Sequence, residues 1–347
     1  MRAILTLSSA AFLALTASAG AQTIQPPFDA NYTWFDLGAP PGVPAALGGV
    51  LIRADEPNAM YIGGAANGGL GAIYRVALRR DGNGHISGWG CFETVLFAAA
   101  PNIDGGLCMF PDGVMAYATY PNNLVGQILP GGTSAASITS LSTVGVAGTT
   151  GSLLLVPQGF AGAGRLKILT YGGSTWYDSS ITPAGDGTFT IAPMASSIYI
   201  GGGPEGVAYV HGGNPNFAVD SILVSEYGTG SVAVYEADNN GDPIPSTRRV
   251  LTTGFSGAEG ATIDPLTGDF IFSSFGGGDR VIRISGFTDS VSCIGDLNSD
   301  GLVDGTDLGI LLGDWGACPN CPADLNGDCV VDGTDLGILL SAWGPCA

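Results

Sequence analysis

Apolar residues fall along most of this chain in short runs broken by clusters of Gly, Pro, Asn and Asp. Val50-Leu51-Ile52, Ile73-Tyr74-Arg75-Val76, Leu153-Leu154-Leu155-Val156, Ile222-Leu223-Val224, Val232-Ala233-Val234-Tyr235 and Phe270-Ile271-Phe272 are such runs. Runs this short, bounded by turn formers, predict strands rather than helices. Helical periodicity is almost absent from residues 32–287 and appears only near the C-terminus. There Leu308, Leu311, Leu312 and Trp315 fall at i, i+3, i+4 and i+7, and Leu336, Leu339, Leu340 and Trp343 repeat the spacing. Each set predicts a short helix with one apolar stripe.

The strand-rich region repeats weakly. Gly203-Pro204-Glu205-Gly206-Val207-Ala208 is matched by Gly257-Ala258-Glu259-Gly260-Ala261-Thr262, and Ile103-Asp104-Gly105-Gly106-Leu107 is similar. Leu47-Gly48-Gly49-Val50 and Thr150-Gly151-Ser152-Leu153 are looser copies. The aligned glycines stand at 48, 105, 151, 206 and 260. A unit of about 40–50 residues holding four strands is the period of a propeller blade. Five copies predict five blades, with Tyr32 to Phe35 supplying the outer strand that closes the ring. The degeneracy of the repeat leaves six open, and a β-sandwich is the competing architecture. The loose pattern resembles YWTD, NHL and gluconolactonase-like propellers of bacteria, which implies a site at one end of the central channel.

Residues 296–307 and 324–335 follow a different rule. Asp-Leu-Asn-Ser-Asp-Gly-Leu-Val-Asp-Gly-Thr-Asp and Asp-Leu-Asn-Gly-Asp-Cys-Val-Val-Asp-Gly-Thr-Asp put oxygen donors at positions 1, 3, 5, 7, 9 and 12. That spacing suits Ca²⁺, a hard cation wanting six to eight oxygens. The expected ligands are Asp296, Asn298, Asp300, the Leu302 carbonyl, Asp304 and Asp307 for one ion. Asp324, Asn326, Asp328, the Val330 carbonyl, Asp332 and Asp335 would hold a second. Position 6 of the second loop is Cys329, where glycine normally eases a sharp turn. The loop–helix duplication resembles type I dockerins over residues 293–346, in particular short cysteine-containing dockerin-like domains. The resemblance implies two calcium ions and docking to a cohesin-like or other cell-surface or scaffold partner. At the positions where that family reads its partner stand Gly305-Thr306 and Gly333-Thr334, of which only the Thr resembles the usual hydroxyl pair, and Gly313-Asp314 and Ser341-Ala342, where basic residues are common.

Residues 1–21 read as a signal peptide: Arg2, an apolar stretch from Ala3 to Thr16, then small-x-small cleavage sites. Residues 22–31 are a lead-in, 32–287 the propeller-like domain, 288–292 a linker and 293–347 the calcium module. Export makes disulfides permissible. Cys91 and Cys108 are expected to pair across adjacent strands, and Cys293 with Cys346 would staple the module. Cys318-Pro-Asn-Cys321 lacks a second ligand pair for zinc, so a structural disulfide is favoured. The net charge is −19 with a single lysine, Lys167. Nucleic acid is excluded as a partner, because nothing would neutralise phosphates, and no apolar run is long enough to span a membrane.

Catalytic signals are sparse. The two histidines, His85 and His211, fit no triad or zinc motif. Asp104, Glu205 and Glu259 are weak catalytic candidates, each directly preceding a repeated glycine. They would ligate a cation, act as an acid–base pair, or merely cap strands. Whether the chain is an enzyme stays open at this point. A secreted glycan- or protein-binding propeller is favoured, and a dockerin-anchored hydrolase or lyase acting on polysaccharide is the alternative.

Overall fold

The computed structural model describes residues 22–91, 93–288, 294–298, 300–318 and 321–346. The expected signal peptide and Cys293, with its expected bond to Cys346, lie outside the described residues.

Five antiparallel sheets form a five-bladed propeller. Their innermost strands are Val50–Arg53, Ile103–Met109, Thr150–Leu155, Pro204–Val210 and Ala258–Ile263, which open blades 1 to 5. Neighbouring strands within each blade pair antiparallel; in blade 1 Val95–Ala99 pairs with Ala72–Arg80 past Ile86–Trp89, and in blade 3 Ser196–Tyr199 pairs with Thr175–Ser179 past a separate hairpin of Ile181–Pro183 and Phe189–Ile191. The ring closes through Thr33–Gly38, which pairs with Val281–Ser285 as the outer strand of blade 5. One end of the domain is thus hydrogen-bonded into the blade made by the other. Residues 22–31 are more than a lead-in. Thr23–Ile24 edges blade 4 by pairing with Arg249–Thr253, and Phe28 is fully buried among Tyr32, Phe217 and Phe287.

The repeated glycines have a steric cause. At this level the inner strands meet backbone to backbone across the axis. A Cβ on Gly105 would lie 2.0 Å from the Glu205 carbonyl oxygen, and one on Gly206 would lie 2.3 Å from that of Glu259. Gly151 is packed against Pro204 and Gly260 against Gly49 in the same way. Five blades make a narrow ring, so residues without side chains are needed where strands converge.

The C-terminal module holds the two short helices, α1 (Gly305–Gly313) and α2 (Gly333–Ser341). Leu302–Val303 pairs with Gly344–Pro345, and Gly316–Ala317 pairs with Val330–Val331. Each repeat therefore completes the other around Val303, Leu311, Leu325, Val331 and Leu339. Of the two predicted stripes, Leu311 and Leu339 are buried, whereas Leu312, Trp315, Leu340 and Trp343 are half exposed. The helices end at 313 and 341, before the tryptophans, so the stripe is not continued onto the core.

The expected Cys91–Cys108 pair is not formed. Cys91 is bonded to Cys329, and Cys108 is free and buried. Cys108 sits on the inner strand of blade 2 among Phe110, Val114 and Leu153. Cys91 follows the Ile86–Trp89 strand at the rim, where the 324–335 loop docks. There Arg80 N donates to the Asn326 carbonyl at 2.6 Å. Cys318 and Cys321 are joined to each other, a connectivity the sequence left open. Among the described residues no helix is long and apolar enough to cross a membrane.

Candidate functional site

Asp104, Glu205 and Glu259 come from blades 2, 4 and 5 and converge. One carboxylate oxygen of each lies within 4.8 Å of the others. The backbone explains the convergence. The inner strands of these blades shift register between Ile103 and Leu107, Pro204 and Gly206, and Ala258 and Ala261. A bulge re-aims the side chain it carries, here toward the axis, and the following glycine lets the strands close in. In blade 3 the same position is Thr150, whose hydroxyl turns to Asn123 Oδ1.

The three acids are almost wholly buried, at 1%, 4% and 2% exposure for Asp104, Glu205 and Glu259. They form the floor of a cavity of about 220 Å³. Its half-buried rim is a row of aromatic rings, Tyr120, Tyr171, Tyr227 and Phe275. Neighbouring centroids stand 6.3, 5.7 and 6.1 Å apart in edge-to-face contact. Each ring directly follows the second strand of its blade, from blade 2 to blade 5. In blade 1 the corresponding turn carries Asn67, held at φ 59°. Oriented to satisfy its surroundings, its amide donates to Asp104 Oδ1 at 3.0 Å. Asp104 Oδ2 and Glu205 Oε2 are buried without a partner, a costly state unless something else completes them.

The acids respond to this crowding by holding protons. Burial pushes Asp104 up to about 7, against hydrogen bonds from Glu259, Asn67 and Glu205 that pull it down. Burial also drives Glu205 and Glu259 well above the ordinary range, and the Asp104 charge adds to both. Burial raises the rim hydroxyl of Tyr227, with a further push from Glu259. Between the ordinary aspartate value of 3.8 and about 7, folded Asp104 keeps a proton that the unfolded chain has lost. The native state then binds more protons, so stability falls as pH rises across that window. The neutral isostere Glu259→Gln should therefore stabilise the protein at pH 8, by roughly 1–3 kcal/mol, and flatten the slope. Urea unfolding at pH 5 and pH 8 in amine-free buffer reads both. A variant no more stable than the parent at pH 8 would contradict it.

The histidines lie elsewhere. His85 pairs with Asp269 at 2.7 Å, and His211 stacks on Phe160 at 3.9 Å.

In the C-terminal loops the expected ligands are organised by the backbone. Asp307 Oδ1 accepts from Leu297 N at 2.8 Å and its Oδ2 from Asp304 N at 2.8 Å, tying position 12 to positions 2 and 9. Asp335 accepts from Asn326 N and Asp332 N, tying position 12 of its loop to positions 3 and 9. Asp304 and Asp332 cap the helices that follow, a recurrent use of aspartate at helix starts. Asp296 accepts from Asp300 N and Gly301 N, and Asp324 from Gly327, Asp328 and Cys329. Asn298 and Asn326 each donate to the aspartate two residues on, Asp300 and Asp328. Among the described residues neither loop gathers three carboxylates as tightly as the propeller floor does. The all-oxygen donor set nevertheless suits a hard cation.

The loops differ in setting. Asn298 and Asp300 are exposed, whereas Asp324 and Asn326 are buried. Burial pushes the Asp324 carboxyl up, against backbone amides that pull it down. Cys329 takes φ 72°, where the first loop has Gly301 at 88°. Its bond to Cys91 holds this unfavourable position against the propeller.

Neither a family model nor a curated protein matches the chain. Some solved structures resemble it weakly. An auxiliary nutrient binding protein from Bacteroides ovatus is 11% identical over 74% of this chain and 76% of that one, with a TM-score of 0.40. The glutaminyl cyclase of Myxococcus xanthus is 11% identical over 76% and 95%, with a TM-score of 0.42. The PQQ-bound aldose sugar dehydrogenase of Streptomyces coelicolor is 16% identical over 72% and 83%, at 0.39. Likeness of this size says nothing of what the present chain binds.

Proposed function

We propose that this chain is an exported, calcium-dependent binding protein. Its propeller holds a positively charged group of an extracellular glycan or protein on the acidic floor. Its C-terminal dockerin-like module takes two Ca²⁺ ions and docks the propeller to a cohesin-like or other surface partner. The observation that carries the propeller reading is the pair of buried, unpartnered oxygens, Asp104 Oδ2 and Glu205 Oε2, in a cavity with room for a ligand. A cation would complete both oxygens and offset the repulsion among three crowded carboxyls.

The alternative, a hydrolase or lyase acting on polysaccharide, needs two carboxyls flanking a bond, about 5–5.5 Å apart or about 6.5–9.5 Å apart. Here three buried acids each bring one oxygen within 4.8 Å of the others, a cluster rather than a pair facing each other across an open cleft. A panel of polysaccharides and extracellular proteins, scored for retention and for released sugar, separates the two. Retention lost in Glu205→Gln, with no sugar released, is expected. Sugar release abolished by Glu205→Gln would establish the enzyme reading instead.

For the module, the support is the donor spacing and the amide-tied position-12 aspartates. Leu312, Trp315, Leu340 and Trp343 are left half exposed in equivalent places and would offer the partner two similar apolar contacts. The full chain, stripped with chelator and titrated calorimetrically, should take up two equivalents of Ca²⁺. Asp307→Asn and Asp335→Asn should each weaken one site by at least about tenfold, or ~1.4 kcal/mol. Uptake of no calcium by the unaltered protein would remove the calcium reading.

A further inference from the structure

The propeller floor and rim together select among cations. We infer that the group bound at the propeller axis is a primary ammonium carried on an apolar stem, its three N–H donors meeting Asp104, Glu205 and Glu259 and its stem lying among Tyr120, Tyr171, Tyr227 and Phe275. The inference rests on the reading of this cavity as a cation site and narrows the cation's chemistry.

Three observations point the same way. An R–NH₃⁺ group has three donors and no acceptor, and three acids from three blades converge on one point. Two of their oxygens lack a partner and are almost wholly buried. The cavity, at about 220 Å³, is far larger than a bare ion needs, and its remaining wall is largely aromatic. Rings attract cations through their π-faces and apolar stems by contact.

Charge balance agrees. Crowded buried carboxyls retain protons, so the floor does not present three full negative charges. A monocation matches that residual charge better than a divalent ion. A tetraalkylammonium would fill the aromatic rim but would leave the orphaned oxygens without a donor.

The test uses the full chain in calcium-containing, amine-free buffer. Calorimetric titration with n-butylamine is compared with 1-butanol, tetramethylammonium and zinc chloride. Butylamine should bind, the isosteric alcohol should not, and tetramethylammonium should bind at least about tenfold more weakly. Glu259→Gln should weaken butylamine by about tenfold or more, and Tyr171→Ala by several-fold. Thermal unfolding of each variant verifies the fold. Tetramethylammonium binding as well as butylamine, or butylamine binding unchanged in Glu259→Gln, would overturn the inference. Zinc bound stoichiometrically in an acid-dependent way, with no butylamine uptake, would overturn the ammonium and leave the cation site standing. Binding of none of these probes would overturn both.

Discussion

Gly105→Ala should unfold the propeller or cost it more than about 4 kcal/mol, a large share of the ~5–15 kcal/mol that holds a domain together. The added methyl would sit 2.0 Å from the Glu205 carbonyl oxygen and 3.1 Å from that of Gly151. Ordinary overpacking in a core costs about 1–3 kcal/mol because side chains can rotate aside. Here the obstacles are backbone atoms of two other blades, so relief requires moving whole strands. The shift would also move Asp104 and Glu205, so ligand retention should fail together with stability. Gly82→Ala is the control, since nothing lies within 4 Å of the place its methyl would take and its φ is not in the left-handed region. Denaturant unfolding of the full chain in calcium compares the two. A Gly105→Ala protein within about 1 kcal/mol of the parent would refute a steric origin for the repeat.

The same steric requirement makes the ring legible in the sequence. The glycines recur because one backbone constraint is met once per blade, and the acids at 104, 205 and 259 stand beside them. The strand supplied by Thr33–Gly38 follows from the same count, since five inner strands leave the last blade short of an outer one. The aromatic rim is hidden from a fixed period. Tyr120 and Phe275 lie 15 residues after their blade's glycine, whereas Tyr171 lies 20 and Tyr227 lies 21 residues after theirs. The first hairpin of each blade varies in length, so the rings drift out of phase. Counting instead from the end of each second strand, in Ala-Thr-Tyr, Leu-Thr-Tyr, Ser-Glu-Tyr and Ser-Ser-Phe, aligns all four. The Cys91–Cys329 bond is illegible for another reason. It joins the propeller to the module across 238 residues, and sequence carries no sign of which rim the module meets. Lys167 stands out in the sequence only as the chain's single lysine, and nothing around it announces partners 73 and 75 residues away.

Lys167→Met should be strongly destabilising. The side chain is fully buried. Its ammonium donates to Asp178 Oδ1 at 2.7 Å, to Asp242 Oδ1 at 2.6 Å and to the Asn240 carbonyl at 2.9 Å. Burial pushes Asp178 up, but hydrogen bonds from Arg165 and Lys167 outweigh it and hold the carboxyl below its ordinary range. Asp178 would keep Arg165 after the change, with its two hydrogen bonds. Asp242 would keep the neutral indole donor of Trp176 at 2.7 Å but lose its ion-pair partner, leaving a buried carboxylate unpaired in charge. Losing one partner of a buried pair costs about 3–5 kcal/mol, most of it the stranded charge. The loss should accordingly be relieved by a second change. Asp242→Asn in the Lys167→Met background should restore roughly 1–3 kcal/mol, although each change alone destabilises. Thermal unfolding of the four proteins closes the cycle. Additive losses would mean that the two side chains act independently and that the network linking blades 3 and 4 is held by something other than this pair.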